Sequence, residues 1–193
     1  QIAAHLIDLK KEQKVLDACS APGGKACHML ELESIKLLAI ESDKKRTIKI
    51  QENIDRQGLK AKILNDKISI HNEWWDKDLF DRILLDVPCS ASGIVRRHVD
   101  IKWLRRINDF KSFGESQLHL LKSAWPMLKE NGKLLYVTCS IFKEENRDVI
   151  EKFKQDSENV LELNINFPPN VVHIENQILP SPNHDGLFYA LLQ

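Results

Sequence analysis

Net charge is missing from this sequence: 28 Lys and Arg stand against 28 Asp and Glu in 193 residues. That balance argues against a chain that coats nucleic acid indiscriminately, and leaves any such affinity to a local patch. Paired cysteines are missing too. Cys19, Cys27, Cys89 and Cys139 form no C-x-x-C and have no histidines at finger spacing, which argues against a zinc site or a disulfide framework and suits a reducing, cytoplasmic setting. No apolar run has the length of a membrane span, and no basic-then-apolar signal opens the chain, so a soluble protein with no membrane partner and no metal is expected. What is present is 42% hydrophobic content, enough for one core, and a single domain over residues 1–193 is expected. Gln1 stands where a Met would start a protein, and residues 2–10 already have helical spacing, so further chain is expected upstream.

The stretch VLDACSAPGGK, residues 15–25, reads as a strand, a small-residue turn and the start of a helix at Lys25. Gly23 and Gly24 are expected to let the backbone turn where a Cβ would clash and to bring main-chain N–H groups toward a ligand. The spacing fails the G-x-G-x-x-G pattern, and Ala26 follows Lys25 where a Walker loop needs Ser or Thr, so a cofactor without phosphate fits better. An ordinary strand-to-helix turn is the alternative on the glycines alone.

Further apolar runs mark strands at Ile35–Ile40, Ala61–Leu64, Phe80–Leu85 and Lys133–Thr138, with a last one at Leu187–Leu192. Helices are expected over 2–10, from Lys25 to Glu33, over 43–57 with Gly58 closing it, over 112–129 and over 144–154. Residues 160–163 read as a further strand, and the proline-rich 164–185 as a surface excursion with a short strand at 171–174. Trp74 and Trp75 read as packing. The result is an α/β pattern of mostly parallel strands, in which Asp17, Glu41, Asp66 and Asp86 follow successive strands and would line one edge of the sheet, where open α/β proteins bind ligands. Glu41 there could accept hydrogen bonds from ribose hydroxyls.

Residues 91–106, ASGIVRRHVDIKWLRR, form a long polar connection in which Arg96, Arg97, Lys102, Arg105 and Arg106 stand against Asp100, with His98, Trp103 and a Gly93 hinge among them. Beside a ligand-lined edge this reads as a phosphate-contacting loop; a solvated helix face is the alternative. Cys89 and Cys139 both follow strands at that same edge. Two thiols beside an acidic pocket suit covalent catalysis such as methylation of cytosine carbon 5, in which a thiolate adds to carbon 6 and raises electron density at carbon 5. Asp86 is placed to steady the charge on the ring, and Lys25 to lower a thiol pKa. Position alone does not say which thiol attacks.

DACSAPGGK, LLDVPCSASGIVRRHVDIKWLRR and YVTCSIFKEEN resemble the S-adenosylmethionine-dependent RNA cytosine-5 methyltransferases, most closely the bacterial Sun/Fmu (RsmB) branch acting on small-subunit 16S rRNA. The resemblance spans nearly the whole chain. It implies a Rossmann-like sheet of seven strands with the last antiparallel, helices on both faces, S-adenosylmethionine as cofactor and RNA as partner of a monomer. It maps the cofactor loop onto Cys19, Ser20, Ala21, Pro22, Gly23, Gly24 and Lys25, the ribose acid onto Glu41, the adenine-side acid onto Asp66, and the acid between methionine moiety and base onto Asp86. It implies Cys139 as nucleophile and Cys89 as the thiol that assists release; the charge of the basic loop itself sets the expected RNA contacts at Arg96, Arg97, His98, Lys102, Arg105 and Arg106. This chain departs from the family in Glu41, where Asp is usual, in Ser20, where Ala is common, and in His184-Asp185-Gly186, where Gly-Asp-Gly is frequent. The branch also has an N-terminal RNA-binding region. Rival readings are the same chemistry on transfer RNA or another rRNA site, a cofactor- and RNA-binding module without turnover, and a small-molecule methyltransferase.

Overall fold

The computed structural model describes residues 2–169 and 171–193. The apolar runs become five parallel strands, β1 (Lys14–Asp17), β2 (Lys36–Glu41), β3 (Lys62–Asn65), β4 (Phe80–Asp86) and β5 (Leu128–Thr138), in the order β3-β2-β1-β4-β5. Near-continuous apolar strands need cover on both faces. Leu16, Ile83 and Leu85 belong to one core with Leu118 and Leu121 of α5 (Ile107–Ala124) and Phe153 of α6 (Arg147–Asp156). Val15, Leu84 and Leu135 belong to a second core with Ala3 and Ala4 of α1 (Ile2–Leu6) and Met29 of α2 (Gly24–Leu32). Helix α3 (Lys44–Arg56) buries Ile50 and Ile54 against Ala21, Cys27 and Ala39. Its start is fixed by Asp43, whose carboxylate accepts from the Lys45 and Arg46 N–H groups at 2.7 and 3.0 Å.

The strand order reverses between β1 and β4, so their carboxyl ends diverge into a crevice at the topological switch point. On the far side of β5, β9 (Leu187–Leu192) runs antiparallel, as the resemblance implies. The sheet has nine strands rather than seven. Two-residue strands β6 (Glu162–Leu163) and β8 (Gln177–Ile178) pair opposite halves of the outer edge of β9, and β7 (His173–Ile174) pairs β8. Strands that short carry no alternation signal, which is why most of 164–185 reads as excursion in the sequence; Asn170 within it lies outside the described residues.

Element boundaries shift for local reasons. The first helix ends at Leu6 rather than residue 10, and Asp8 has φ +55. The long helix occupies 107–124 rather than 112–129: the Asp109 side chain accepts from the Arg106 N–H as part of a capping box, and a 3₁₀ turn, Trp125–Met127, precedes β5. The last helix begins at Arg147, after a 3₁₀ turn over Lys143–Glu145. Trp74 and Trp75 are half-buried against the first core.

Candidate active site

The loop after β1 is held by its own backbone and by α3. Ser20 N–H donates to Ile40 O at 2.9 Å and Gly23 N–H to Ser20 O at 2.7 Å, while Arg46 Nη2 and Asn53 Nδ2 donate to the carbonyls of Ala21 and Pro22. Gly23 has φ +98, and a Cβ there would lie 3.2 Å from Ile50 Cα, so glycine is required on both counts. Gly24 does not share that role: a Cβ at Gly24 would meet nothing within 4 Å. Asp17 is buried, with Oδ2 accepting from the Ser20 hydroxyl at 2.8 Å and Oδ1 without a partner among the described residues. Burial pushes its pKa up to about 7; the Ser20 hydrogen bond opposes this and the Asp86 carboxylate adds to it.

A cavity of about 350 Å³ opens beyond the loop, lined by Cys19, Glu41, Asp66, Ile68, Asp86, Val87, Cys89 and Cys139 among others. Glu41 is almost fully buried; it accepts from the Asp43 N–H at 3.0 Å and faces Arg46 Nη1 at 3.4 Å. Asp66 is exposed at the rim and accepts from the Lys67 N–H. Burial and the surrounding carboxylates push the Cys19 thiol far above its ordinary range, making it a wall rather than a reactive group. A second cavity of about 350 Å³ shares Asp86 and is lined by Ser20, Ala21, Pro22, Gly24, Lys25 and His28. Between the two, Lys25 Nζ donates to Asp86 Oδ2 at 2.6 Å. Burial pulls the Lys25 pKa down, but Asp86 outweighs it and the net shift is upward, so the ammonium stays charged. A larger groove of about 470 Å³, at the amino ends of the strands beside Trp74 and Trp75, includes none of these groups.

The two strand-end thiols meet: Cys89 Sγ and Cys139 Sγ are 3.3 Å apart. With Cys89 as donor, that hydrogen bond lowers the Cys139 pKa and raises that of Cys89, so the pair holds one proton more readily than two charges. Burial and Asp86 oppose ionisation of Cys139, and Lys25 favours it.

The arrangement of the thiols depends on residues that sequence reasoning did not single out. The Glu145 carboxylate has no exposure; it accepts from the Ser90 N–H at 2.7 Å, the Ser140 hydroxyl at 2.7 Å and Gln117 Nε2 at 3.2 Å. One buried side chain thereby ties the residue after Cys89 to the residue after Cys139. Ser92 adds a second tie through its hydroxyl, which lies 3.1 Å from Ser140 Oγ and accepts from the Ile141 N–H. Gly93, expected as a hinge, is instead a clasp. It is buried, its N–H donates to Cys139 O at 2.8 Å, its carbonyl accepts from the Gly186 N–H at 2.9 Å, and a Cβ would collide with the Gly186 carbonyl. Glu145 does fall within YVTCSIFKEEN, but nothing in the spacing separates it from a solvated acid.

The basic stretch divides in two. Arg96 and Arg97 both bridge to Asp185 at 3.0 Å, and Arg105 Nε donates to Ser90 O at 2.9 Å with its guanidinium over Phe113. His98, Lys102 and Arg106 are exposed, with no ion pair among the described residues.

A family model described as 16S rRNA methyltransferase RsmB/F matches residues 4–193. A Shewanella oneidensis protein named ribosomal RNA small subunit methyltransferase B is 45% identical over 194 residues, which cover 100% of this chain and 45% of that one. A protein of the same name from Pseudomonas syringae pv. tomato is 41% identical over 201 residues, with the same shares covered. This chain therefore spans about half the length of the curated relatives it matches. Among solved structures, one described as PH0851 is similar with a TM-score of 0.92 and 32% identity, covering 100% of this chain and 45% of that one. The structure of NSun6 from Pyrococcus horikoshii with SFG shares the fold, with a TM-score of 0.83, 24% identity and coverage of 100% and 50%.

Proposed function

The chain belongs to the 16S rRNA methyltransferase RsmB/F family, and from that premise we propose that it is a catalytic domain methylating carbon 5 of a cytosine in small-subunit rRNA, in the cytoplasm, with S-adenosylmethionine as donor. The residues fit that cofactor. The cavity at the ends of β1, β2 and β3 has a buried carboxylate at Glu41 for ribose hydroxyls, an exposed one at Asp66 for the adenine side, and apolar walls at Ile68 and Val87. The loop from Cys19 to Lys25 backs the methionine end. When bound, the cofactor supplies an electrophilic sulfonium methyl. Asp86, held by Lys25, faces the base and accepts a hydrogen bond from the exocyclic amine of an extruded cytosine, while the Lys25 ammonium beside it offsets the negative charge that develops on the ring.

Cys139 acts as the nucleophile. Its sulfur forms a bond to carbon 6, the ring double bond shifts its electron pair toward carbon 5, and the ring nitrogen takes up the charge. After methylation a water molecule takes the carbon 5 proton, the electron pair left behind restores the ring double bond and the bond from carbon 6 to sulfur breaks, releasing the Cys139 thiolate; Cys89, the partner that holds its proton more tightly, donates a hydrogen bond to the departing sulfur. The observation that carries the reading is the 3.3 Å thiol pair with unequal proton affinities, set at the switch-point edge beside the Lys25–Asp86 pair.

A denaturing gel with unmethylated small-subunit rRNA and cofactor tests it. Cys89→Ala should accumulate a protein–RNA adduct, and Cys139→Ala should form none. Adduct only in Cys139→Ala would reverse the roles. If RNA and cofactor both bind and neither variant traps RNA, the covalent mechanism falls.

A further inference from the structure

Trp103 is 86% exposed, whereas the other three tryptophans, Trp74, Trp75 and Trp125, are half-buried. Its exposure follows from how its short helix is anchored. In α4 (Ile101–Leu104) the buried residue is Ile101, and Trp103, two positions on, falls on the opposite side of the turn; Leu104 and, at the start of α5, Ile107 are exposed as well. This face lies on the catalytic rim: Trp103 is two residues from Arg105, whose guanidinium holds the carbonyl of Ser90, the residue after Cys89.

Charge identifies the occupant. Lys102 and Arg106 lie one and three residues from Trp103 in the chain, His98 lies upstream, and none of the three has an ion-pair partner among the described residues. Of the nearby acids, Asp109 accepts from the Arg106 N–H, and Asp100 is the one left facing solvent. An indole face bordered by unpaired cations suits a nucleobase with its phosphates, since stacking on an aromatic ring tolerates any base and lysines or arginines meet the backbone. A protein partner would cover Leu104 and Ile107 equally well, but would have to bring its own acids to neutralise Lys102 and Arg106. Arg96 and Arg97 are already engaged with Asp185, and Arg105 with Ser90 and Phe113.

We propose that Trp103 is a stacking platform for an unpaired base flanking the methylated cytosine, with Lys102 and Arg106 on the adjoining phosphates. This rests on the RNA-methylating reading above and adds a positioning residue to it. Because the indole makes so little contact with the rest of the protein, Trp103→Ala should fold and bind cofactor as the unaltered protein does.

The test uses a short unmethylated rRNA hairpin, iodide quenching of tryptophan fluorescence, and a filter-binding assay. The hairpin should shield the exposed tryptophan from iodide. Trp103→Ala should bind the hairpin about tenfold more weakly, the usual scale for losing one stacked base, and Trp103→Phe should recover most of that loss. A hairpin that is methylated while iodide access and Trp103→Ala affinity stay unchanged overturns the platform and leaves the methyltransferase reading standing. A hairpin neither bound nor methylated overturns both. Unchanged RNA affinity together with loss of self-association in sedimentation, on Trp103→Ala, would make the face a protein contact and also overturn the platform.

Discussion

The two halves of the carboxyl edge are built on opposite plans. At the ends of β1, β2 and β3 the loop hangs on backbone hydrogen bonds, and its acids face an open cavity, with Asp66 exposed at the rim. At the ends of β4 and β5 the side chains of Ser90, Ser140, Glu145 and Gln117 have no exposure and satisfy one another. A wall that must admit and release a diffusible ligand can be open. The proposed mechanism has the two thiols stay 3.3 Å apart, which needs surroundings that cannot relax, and a closed buried network supplies that at the risk of failing as a unit.

The comparison breaks most sharply at Glu145. Glu145→Ala leaves the buried Ser90 N–H without an acceptor and takes one away from the Ser140 hydroxyl and the Gln117 amide, and should cost about 3 kcal/mol in chemical denaturation. Glu145→Gln, which retains one acceptor oxygen, should recover part of that. Next comes the clasp. Gly93→Ala forces Cys139 and Gly186 apart, and displacing a reacting group by about 1 Å costs roughly 100-fold in rate, so methyl transfer should fall by that much while cofactor affinity in calorimetry stays near normal.

The open half should respond in the reverse sense. Gly23→Ala places a side chain at φ +98 against Ile50, which should cost about 1–2 kcal/mol of stability and weaken cofactor binding, leaving the reactivity of the thiol pair toward an alkylating probe unchanged. The smallest effect is the pH response of Asp17. Its folded-state pKa of about 7 lies above the ordinary value of 3.8, so the folded state binds the extra proton and stability falls as pH rises through that interval, then levels off above it. Asp17→Asn removes the titration. Between about pH 6 and pH 7 the unaltered protein should lose about 1 kcal/mol relative to the variant, read from paired denaturation curves. An equal slope in both would place the proton elsewhere.

Much of the open half was legible in the sequence because its parts are local. The strand, the turn and the helix of residues 15–25 are contiguous, and acids at strand ends can be counted along the chain. The closed half was legible only in its two cysteines. Its ties join residues far apart, such as Ser90 with Glu145, Gly93 with Gly186, and Arg96 with Asp185, and no periodicity announces such pairs. Charge was misleading for a related reason: five basic residues within 96–106 look alike in sequence, yet Arg96, Arg97 and Arg105 are engaged by distant partners while Lys102 and Arg106 face outward. Of the short strands, β6 falls within the strand expected at 160–163 and β7 within the one expected at 171–174, whereas β8 escaped because two residues show no alternation, and the second glycine of the loop was given a role that only the first performs.

Strand β9 leaves the ribosome after the other eight strands of this sheet, yet it pairs with β5 on one side and with β6 and β8 on the other. Its pairing with β5 joins segments some fifty residues apart, as Leu134 with Leu192 and Thr138 with Phe188, and long-range pairing of this kind closes slowly. Gly186, just ahead of it, supplies the N–H that fastens Gly93 beside Cys139. During translation the thiol pair therefore stays unassembled until these residues have emerged, so a ribosome that stalls before them releases no half-finished chain with a working reactive centre.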